Sequence, residues 1–296
     1  MTGTIAPTTP FLLVDWGTTN RRVYRVSGDD WAQVQADGQG ASGTYDYPGE
    51  LAGLRRRHGD LPALLVGMVG STIGWTPVPY VPAPASLPDL AVALQAVAER
   101  AWIVPGVSWQ DPSRADVMRG EELQLLGAVE AGLIPRDALV CQPGTHCKWA
   151  RLAEGRLVAF VTSMTGELFA LLRGHSLLAG QLRGETTPGA AFLQGVREGA
   201  RRDLAASLFG IRAHAVLGRD GADDAASFAS GVLIGADVQA RLAELHRQPV
   251  HLVADRALGG LYAAAIEELG HSSIRIASDR ALVAGARALW SVMHDQ

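Results

Sequence analysis

Two short segments place polar, chemically capable residues at the ends of apolar strands. DWGTTN (residues 15–20) sets the carboxylate of Asp15 just before a Gly-Thr turn, and PGTHCKW (143–149) sets Lys148 just after a second one. A Gly-Thr turn between paired strands offers backbone N–H groups and hydroxyls to an anion. Each turn alone is more often an ordinary hairpin, but two together could hold successive phosphates of a nucleotide.

Lys148 is the only lysine among the 26 Lys and Arg residues. It has three interpretations: a solvated strand residue, a compact cation beside phosphate, or a Schiff-base lysine that attacks a carbonyl. The third would make the protein an aldolase. Class I aldolases are usually (β/α)₈ barrels, and this chain does not divide into eight βα units.

Several carboxylates are candidates for acid-base or metal chemistry. Asp15 could hold Mg²⁺ through waters, or could simply form an Asx-turn. Glu121 and Glu122 begin a helix predicted near 119–132, where one of them could take the proton of an attacking hydroxyl or merely complement the helix dipole. Glu167 could cap the next helix or bind a sugar hydroxyl.

A repeated supersecondary unit positions both turns. Residues 11–36 alternate short β-rich runs with turn residues, which predicts a three-stranded meander, and residues 138–161 repeat the pattern. In this register Gly144-Thr145 matches Gly17-Thr18, Gln142 matches Asp15, and Lys148 matches Arg21. Strands and helices alternate after each meander, which indicates an α/β protein with mixed sheets.

The segment between the two meanders is less regular. Residues 63–71 read as a buried strand ending at a glycine turn, and the Pro-rich stretch 75–88 can be neither helix nor central strand, so it is predicted to be an ordered excursion or lid. We predict a helix over 91–100 and a short strand over 102–106.

Size and charge exclude some functional classes. A chain of 296 residues with 48% hydrophobic content can form two domains, and we expect a flexible tail at 1–10, an N-terminal lobe over 11–115 and a C-terminal lobe over 116–296. The net charge of −4 provides no field for nucleic acid or anionic membranes. With no signal-like start or bilayer-length apolar run, a soluble intracellular protein is expected. Cys141 and Cys147 are interpreted as reduced thiols.

Seven motifs, in this order, resemble the 2-dehydro-3-deoxygalactonokinase family of the superfamily that includes actin, hexokinase and the sugar kinases. They are DWGTTNRRVY, GMVGSTIGW, VMRGEELQLLGA, PGTHCKW, MTGEL, HSLL and FASGVLIGAD. The resemblance covers nearly the whole chain from Phe11. It implies a two-lobed, actin-like ATPase fold, a duplicated ribonuclease H-like unit with mixed β-sheets, an interlobe cleft and connecting helices near 119–132 and 279–293.

The resemblance also implies roles for individual residues. Asp15 would bind Mg²⁺, and Glu121 would be the general base. The ATP phosphates would be bound by Gly17, Thr18, Thr19, Asn20, Gly144, Thr145 and His146. Adenosine would contact Ala254, Asp255 and Leu258, although relatives usually have glycine where this chain has Asp255. We expect the sugar acid to contact Arg22, Gly70, Ser71, Arg119 and Glu167, with a guanidinium on its carboxylate.

The implied activity is ATP-dependent phosphorylation of 2-dehydro-3-deoxy-D-galactonate at its 6-hydroxyl, in the cytoplasm, as a step of galactonate catabolism. Mg²⁺ and Lys148 would offset the charge on the transferring phosphoryl group. The alternatives are a kinase for another sugar acid or keto sugar, a binding protein that keeps the fold without turnover, and the Schiff-base aldolase. A homodimer is compatible with the sequence, which contains no argument for it.

Overall fold

The chain folds into two compact units in the computed structural model, which describes residues 8–201, 203–218, 224–242 and 248–294. Within those ranges, unit 1 comprises Met1–Asp137, Leu152–Phe160 and Ser278–Gln296, and unit 2 comprises Ala138–Arg151 and Val161–Ala277. This division differs from the boundary expected between residues 115 and 116, because both predicted connecting helices have their contacts in unit 1. Of the tail expected at 1–10, residues 1–7 lie outside the described residues.

Unit 1 is built around a mixed sheet. Its elements in chain order are β1 (Phe11–Trp16), β2 (Arg21–Ser27), β3 (Asp30–Asp37), α1 (Tyr47–His58), β4 (Ala63–Gly67), a 3₁₀ turn (Met68–Gly70), β5 (Val81–Pro82), α2 (Leu87–Val92), β6 (Gln95–Ala98), β7 (Ala101–Ile103), β8 (Val107–Asp111), β9 (Arg114–Met118) and α3 (Glu121–Glu130), joined by the last helix of the chain, α9 (Ser278–His294). The main sheet has the order β3-β2-β1-β4-β7-β6. Strand β1 is almost continuously apolar because neighbours flank it on both sides and both of its faces are covered.

Unit 2 contains a second mixed sheet and a group of helices. Its elements are β10 (Ala138–Gln142), β11 (Cys147–Ala153), β12 (Arg156–Ser163), α4 (Thr165–His175), α5 (Ala190–Gly199), α6 (Leu204–Val216), α7 (Ala225–Leu242), β13 (Val250–Ala254), α8 (Arg256–Glu268) and β14 (Ser273–Ala277). The last residues of β11 and the first residues of β12, within Leu152–Phe160, belong to unit 1. No helix within the described ranges has the length and apolar character needed to cross a bilayer.

The two main sheets confirm the predicted internal repeat. In each, three strands consecutive in the chain lie side by side and are followed by parallel strands, so that β3-β2-β1-β4-β7 has the same order as β12-β11-β10-β13-β14. Each Gly-Thr turn therefore links the first two strands of its meander and lies at the carboxyl end of the first. In open α/β sheets, ligands bind at this end of the strands.

The predicted helix over 91–100 is wrong. Helix α2 starts earlier, at Leu87, where Ser86 and Asp89 form a capping box, and it ends at Val92. Residues Gln95–Ala98 instead pair with β7 as an edge strand, and Val97 packs against the core of unit 1. Pairing with β7 thus outweighs the helical preference of this alanine-rich segment.

A hairpin that no sequence pattern predicted lies just before α3. Strands β8 and β9 are antiparallel, and their turn is closed by Asp111, whose carboxylate accepts hydrogen bonds from the backbone N–H groups of Ser113 and Arg114 at 2.7 and 2.9 Å. The other side of β8 pairs with β5, the short edge strand of the Pro-rich segment. This small sheet links the Pro-rich segment to the start of α3.

Candidate active site

In unit 1, a strand end and a helix start meet through two glycines. Asp15 lies next to the last residue of β1, beside the end of β4, where Gly67 has a φ of 94°. Gly120, with a φ of 108°, precedes α3, and a Cβ atom on it would lie 3.2 Å from the Cα of Gly67. Positive φ angles and this close approach both favour glycine. The glycines thus allow the start of α3 to lie against the carboxyl ends of β1 and β4.

Asp15 forms an ion pair with Arg22, which lies directly opposite it on β2. The Nε and Nη2 atoms of Arg22 both donate to Oδ2 of Asp15, at 3.1 and 2.6 Å, whereas Oδ1 accepts neither bond. Burial raises the pKa of the Asp15 carboxyl, Arg22 opposes that shift, and the charge of Glu121 adds to it. Asp15 and Glu121 are therefore close enough to interact, and Arg22 already has a carboxylate partner within the chain.

The two glutamates at the start of α3 have different surroundings. Glu122 is 0% exposed, and its carboxylate accepts the N–H of Gly120 at 2.7 Å. Burial, and next the charge of Glu121, raise the pKa of Glu122 to about 8. Glu121 is only partly buried, and its Oε2 accepts the N–H of Arg119 at 3.1 Å. Of the two, Glu121 is the carboxylate that a substrate could reach.

Arg119 has a fixed guanidinium with unused donors. The side chain is 9% exposed, its Nη2 donates to the carbonyl of Val78 at 2.7 Å, and it lies over the ring of Tyr80. The Nε and Nη1 atoms are buried and have no hydrogen-bond partner. Buried donors are rarely left unpaired, and each costs free energy in that state. The structure thus holds a buried cation with two N–H groups that have no hydrogen-bond partner.

The predicted sugar-contact residues Gly70 and Ser71 lie in the turn that follows β4. A Cβ atom on Gly70 would lie 3.0 Å from Nη1 of Arg119 and 2.7 Å from Ile103, so any larger residue here would displace the guanidinium. The hydroxyl of Ser71 donates to the carbonyl of Met68 at 2.7 Å, which closes the turn. The structure therefore brings Gly70 and Arg119 together, while the Ser71 hydroxyl already has a structural partner.

The first Gly-Thr turn presents exposed residues and is supported from behind by a glycine. Thr18, Thr19 and Asn20 are exposed, and the N–H of Gly17 donates to the carbonyl of Asn20 at 2.9 Å. A Cβ atom on Gly40 would lie 2.2 Å from the carbonyl oxygen of Thr18. The segment after β3 thus supports the turn at a distance that only glycine allows.

The second turn, in unit 2, has the same construction. Thr145 and His146 are exposed, and a Cβ atom on Gly166 would lie 2.5 Å from the carbonyl oxygen of Gly144. The N–H of Glu167 donates to the carbonyl of Thr145 at 2.9 Å, and its carboxylate pairs with the ring of His146 at 2.5 Å. In both units the chain returns after the third strand and holds the turn through a glycine contact.

Lys148 is buried on β11, with 5% of its surface exposed. The interpretation of Lys148 as a solvated strand residue is therefore wrong. Its counterpart in the repeat, Arg21, is also buried and pairs with Asp37 at 3.0 Å and Glu50 at 2.9 Å. The matching first-unit position thus carries a structural ion pair rather than a free cation.

A small cavity lies behind the second turn. Its volume is about 50 Å³, and its lining includes Gly144, Thr165, Gly166, Phe169, Ser230, Leu233, Ile234, Leu258 and Tyr262. Asp255 does not line it: its side chain caps α8 by accepting the N–H of Leu258 at 2.9 Å, and Ala254 ends β13 just before it. The structure thus gives Asp255 the role of a helix cap.

The sites have little built-in metal-binding capacity. Across the described ranges, no group of three or more His, Cys, Asp or Glu side chains could hold a metal ion.

The sulfur atoms of Cys141 and Cys147 are 3.6 Å apart, and both are free thiols. Burial raises the pKa of both, which disfavours the reactive thiolate.

Tyr80, Gly40 and Gly166 contact predicted site residues, although no motif singled them out. Tyr80 is the only aromatic residue inside the Pro-rich stretch after Trp75, which is a weak signal. For the two glycines no sequence signal existed, since their role is a contact with a turn formed elsewhere in the chain.

The chain is similar to proteins of one described activity. Residues 15–289 match the family model described as 2-keto-3-deoxy-galactonokinase. The 2-dehydro-3-deoxygalactonokinase of Escherichia coli (strain K12) is 34% identical over 291 residues, which cover 95% of this chain and 98% of the relative.

Solved structures agree with this similarity. The crystal structure of a Sinorhizobium meliloti protein that provisionally bears the same kinase name has a TM-score of 0.85 at 34% identity, covering 94% of this chain and 97% of its own. The activator of the 2-hydroxyisocaproyl-CoA dehydratase from Clostridium difficile has a TM-score of 0.55 at 12% identity, covering 97% and 96% of the two chains, and is similar in fold alone. The predicted actin-like fold, with mixed sheets, is confirmed.

Proposed function

Because the chain belongs to the 2-keto-3-deoxy-galactonokinase family, and is thus a carbohydrate kinase that uses ATP on a small sugar substrate, we propose that it phosphorylates 2-dehydro-3-deoxy-D-galactonate at the 6-hydroxyl. The product would be 2-dehydro-3-deoxy-6-phospho-D-galactonate. The kinase family leaves no reason to keep the Schiff-base interpretation of Lys148.

The observation that carries the substrate assignment is the guanidinium of Arg119. A sugar acid differs from a neutral sugar by its carboxylate, and Arg119 has two buried N–H groups without a partner. A guanidinium suits a carboxylate because it can donate two parallel hydrogen bonds. Arg22 is the weaker candidate for this role, since it is already bonded to Asp15.

Glu121 is the proposed general base. It lies at the first position of α3, it is more accessible than Glu122, and its carboxylate accepts the backbone N–H of Arg119. A base in this position would accept the proton of the 6-hydroxyl as that oxygen attacks the terminal phosphorus of ATP and the bond to the ADP oxygen breaks. Glu122 instead holds Gly120 in place, and Glu167 pairs with His146.

The two Gly-Thr turns are the proposed phosphate contacts. Each turn presents exposed hydroxyls and is supported by a glycine contact, so its backbone is already arranged before the nucleotide binds. Preorganised donors stabilise phosphate charge more effectively than mobile ones. We further propose that Lys148 contributes a positive charge beside the second turn, and that Leu258 and Ala254 contact the adenosine.

Asp15 fits a metal ion that is held mainly by water and phosphate. Its Oδ1 atom is not used by Arg22, and it is not part of a larger group of ligands within the described ranges. Mg²⁺ usually keeps several waters and takes only one or two protein carboxylates. Bound there, it would neutralise charge on the phosphates.

A coupled ADP-release assay across a panel of sugar acids and neutral sugars tests this proposal. We expect turnover with 2-dehydro-3-deoxygalactonate to exceed turnover with every neutral sugar, to need Mg²⁺, and to fall in Lys148→Arg. Release of ADP with no sugar acid would refute the assigned activity, whereas equal rates with neutral sugars would refute the role of Arg119.

Location and assembly are separate proposals. A cytoplasmic location follows from the use of ATP on a catabolic sugar acid, and fractionation of a producing cell tests it. The homodimer stays a prediction, and light scattering on the purified protein tests it by measuring the molar mass in solution.

A further inference from the structure

A buried carboxylate in unit 2, Asp237 on α7, is surrounded by donors. The residue is 8% exposed. Its Oδ1 accepts the hydroxyl of Ser163 at 2.6 Å, and its Oδ2 accepts the indole N–H of Trp149 at 3.1 Å, the hydroxyl of Tyr262 at 3.1 Å and the hydroxyl of Thr165 at 3.4 Å. Nothing assigned to the kinase reaction so far uses this residue.

The four donors come from the elements that form the second phosphate turn and the cavity behind it. Trp149 follows the turn on β11, Ser163 ends β12, and Thr165 begins α4. Thr165 and Tyr262 also line the cavity, together with Gly144 of the turn. A single carboxylate therefore joins β11, β12, α4 and α8 at the place where they meet α7.

The four donors around Asp237 require a side chain that accepts hydrogen bonds. Trp can only donate, and burial raises the pKa of Tyr262 well above its usual range, so its hydroxyl keeps its proton. A carboxylate is the side chain that accepts from several donors at once. Burying one is costly unless it is fully hydrogen-bonded, and apolar packing could fill the same space at lower cost. The group is thus suited to fixing positions.

We propose that Asp237 is a positioning residue that sets the second Gly-Thr turn and the adjoining cavity for nucleotide binding. This inference rests on the proposed function, because the turn is taken to bind the phosphates of ATP. Asp237 would not touch the nucleotide. It would act through Thr165, Tyr262 and the N-terminal turn of α4, where the N–H of Glu167 holds the carbonyl of Thr145.

Two substitutions at Asp237 separate the loss of its hydrogen bonds from the loss of its charge. Asp237→Ala removes all four acceptor contacts. In Asp237→Asn the amide oxygen can take the place of Oδ2 and keep three donors, while the amide N–H₂ faces Ser163, whose hydroxyl can turn and accept. Ser163→Ala is a milder variant that removes only the contact to Oδ1. A matched control is Ser227→Ala, because Ser227 is also buried on α7 but bonds to Glu185 and Thr187.

Calorimetric titration with ADP, without any sugar, measures the proposed effect directly. We expect Asp237→Ala to weaken ADP binding by tenfold or more, on the order seen when a residue that orients a ligand-binding group is lost. Ser163→Ala should weaken it by about three- to tenfold, and Asp237→Asn by about threefold or less. In the coupled assay, the KM for ATP should rise in the same order while kcat changes by no more than about twofold.

The outcomes distinguish this inference from the proposed function. If Asp237→Ala and Ser163→Ala bind ADP as the unaltered protein does, while their Tm falls as in Ser227→Ala, the residue is only structural and the inference is wrong. If the unaltered protein binds ADP but phosphorylates no sugar acid, the activity is wrong and the ADP titrations still decide the role of Asp237. If it binds no ADP at all, both are refuted.

Discussion

The guanidinium of Arg119 lies over the ring of Tyr80, with its central carbon 4.3 Å from the ring centroid. The stacking holds the cation in one orientation while Nε and Nη1 stay unpaired. Gly106 makes this possible, because a Cβ atom on it would lie 2.7 Å from the ring of Tyr80. A residue of the Pro-rich segment and a residue just before α3 thus form the proposed anion receptor.

Replacing Arg119 should affect the sugar acid and not the nucleotide. Lysine keeps the charge but has neither the fork of donors nor the flat stacking surface, so Arg119→Lys should raise the KM for the sugar acid about 100-fold. Initial rates at varied sugar acid, with ATP in excess, measure the change. The exposed Arg114, changed to lysine, is the matched control. An equal KM for Arg119→Lys and Arg114→Lys would contradict the role of Arg119.

Tyr80 should matter through its ring alone. Tyr80→Phe keeps the stacking surface and should leave the KM for the sugar acid within about twofold, whereas Tyr80→Ala should raise it by about tenfold, in line with the strength of cation–π contacts. The same initial-rate assay compares the two variants. A loss in Tyr80→Phe as large as in Tyr80→Ala would instead assign the effect to the hydroxyl.

Glu121→Gln should abolish most of the chemistry while it preserves binding. Removal of a general base typically costs at least about 100-fold in kcat. Because the amide can still accept the N–H of Arg119, we expect the Tm to stay close to that of the unaltered protein. Steady-state kinetics and thermal unfolding measure the two effects. Full kcat in Glu121→Gln would mean that another group takes the proton.

Glu122 should make stability depend on pH. Its pKa rises from 4.5 to about 8 on folding, so the folded protein holds a proton that the unfolded chain releases within this range. The contribution of Glu122 to the free energy of unfolding is therefore fully present below the unfolded pKa. It is lost as pH rises toward 8, and its size is on the order of a few kcal/mol. Thermal unfolding at several pH values between about 5 and 9 should show Glu122→Gln losing less stability than the unaltered protein. Parallel curves for the two proteins would contradict the raised pKa.

The glycines behind the turns should tolerate no side chain. In Gly40→Ala and Gly166→Ala the new Cβ would lie 2.2 and 2.5 Å from backbone oxygens, so the turns must shift. We expect about 1–3 kcal/mol of destabilisation and weaker ADP binding in both. Gly174→Ala is the matched control on α4, since nothing lies within 4 Å of its new Cβ and alanine favours helix. ADP binding in Gly166→Ala equal to that in Gly174→Ala would show that the turn is not needed.

Local patterns predicted the meanders and their repetition well. The turn residues that flank FLLVDW and ALVCQ set the strand ends, and strand order in the two sheets follows the predicted duplication. The failed helix over 91–100 and the missed hairpin β8–β9 have one cause: the conformation of both segments depends on pairing with another strand.

The site residues also divide into those that local sequence patterns predict and those that depend on distant contacts. The sequence and its family resemblance predicted Asp15, Glu121 and the two Gly-Thr turns as site residues, because those motifs are local and recognisable. Only the tertiary structure decided that Arg22 is bonded to Asp15, that Arg119 has free donors, that Glu122 rather than Glu121 is buried, and that Asp237 joins the elements behind the second turn. Burial and hydrogen-bond partners come from segments that are distant in the chain, and no local pattern encodes them.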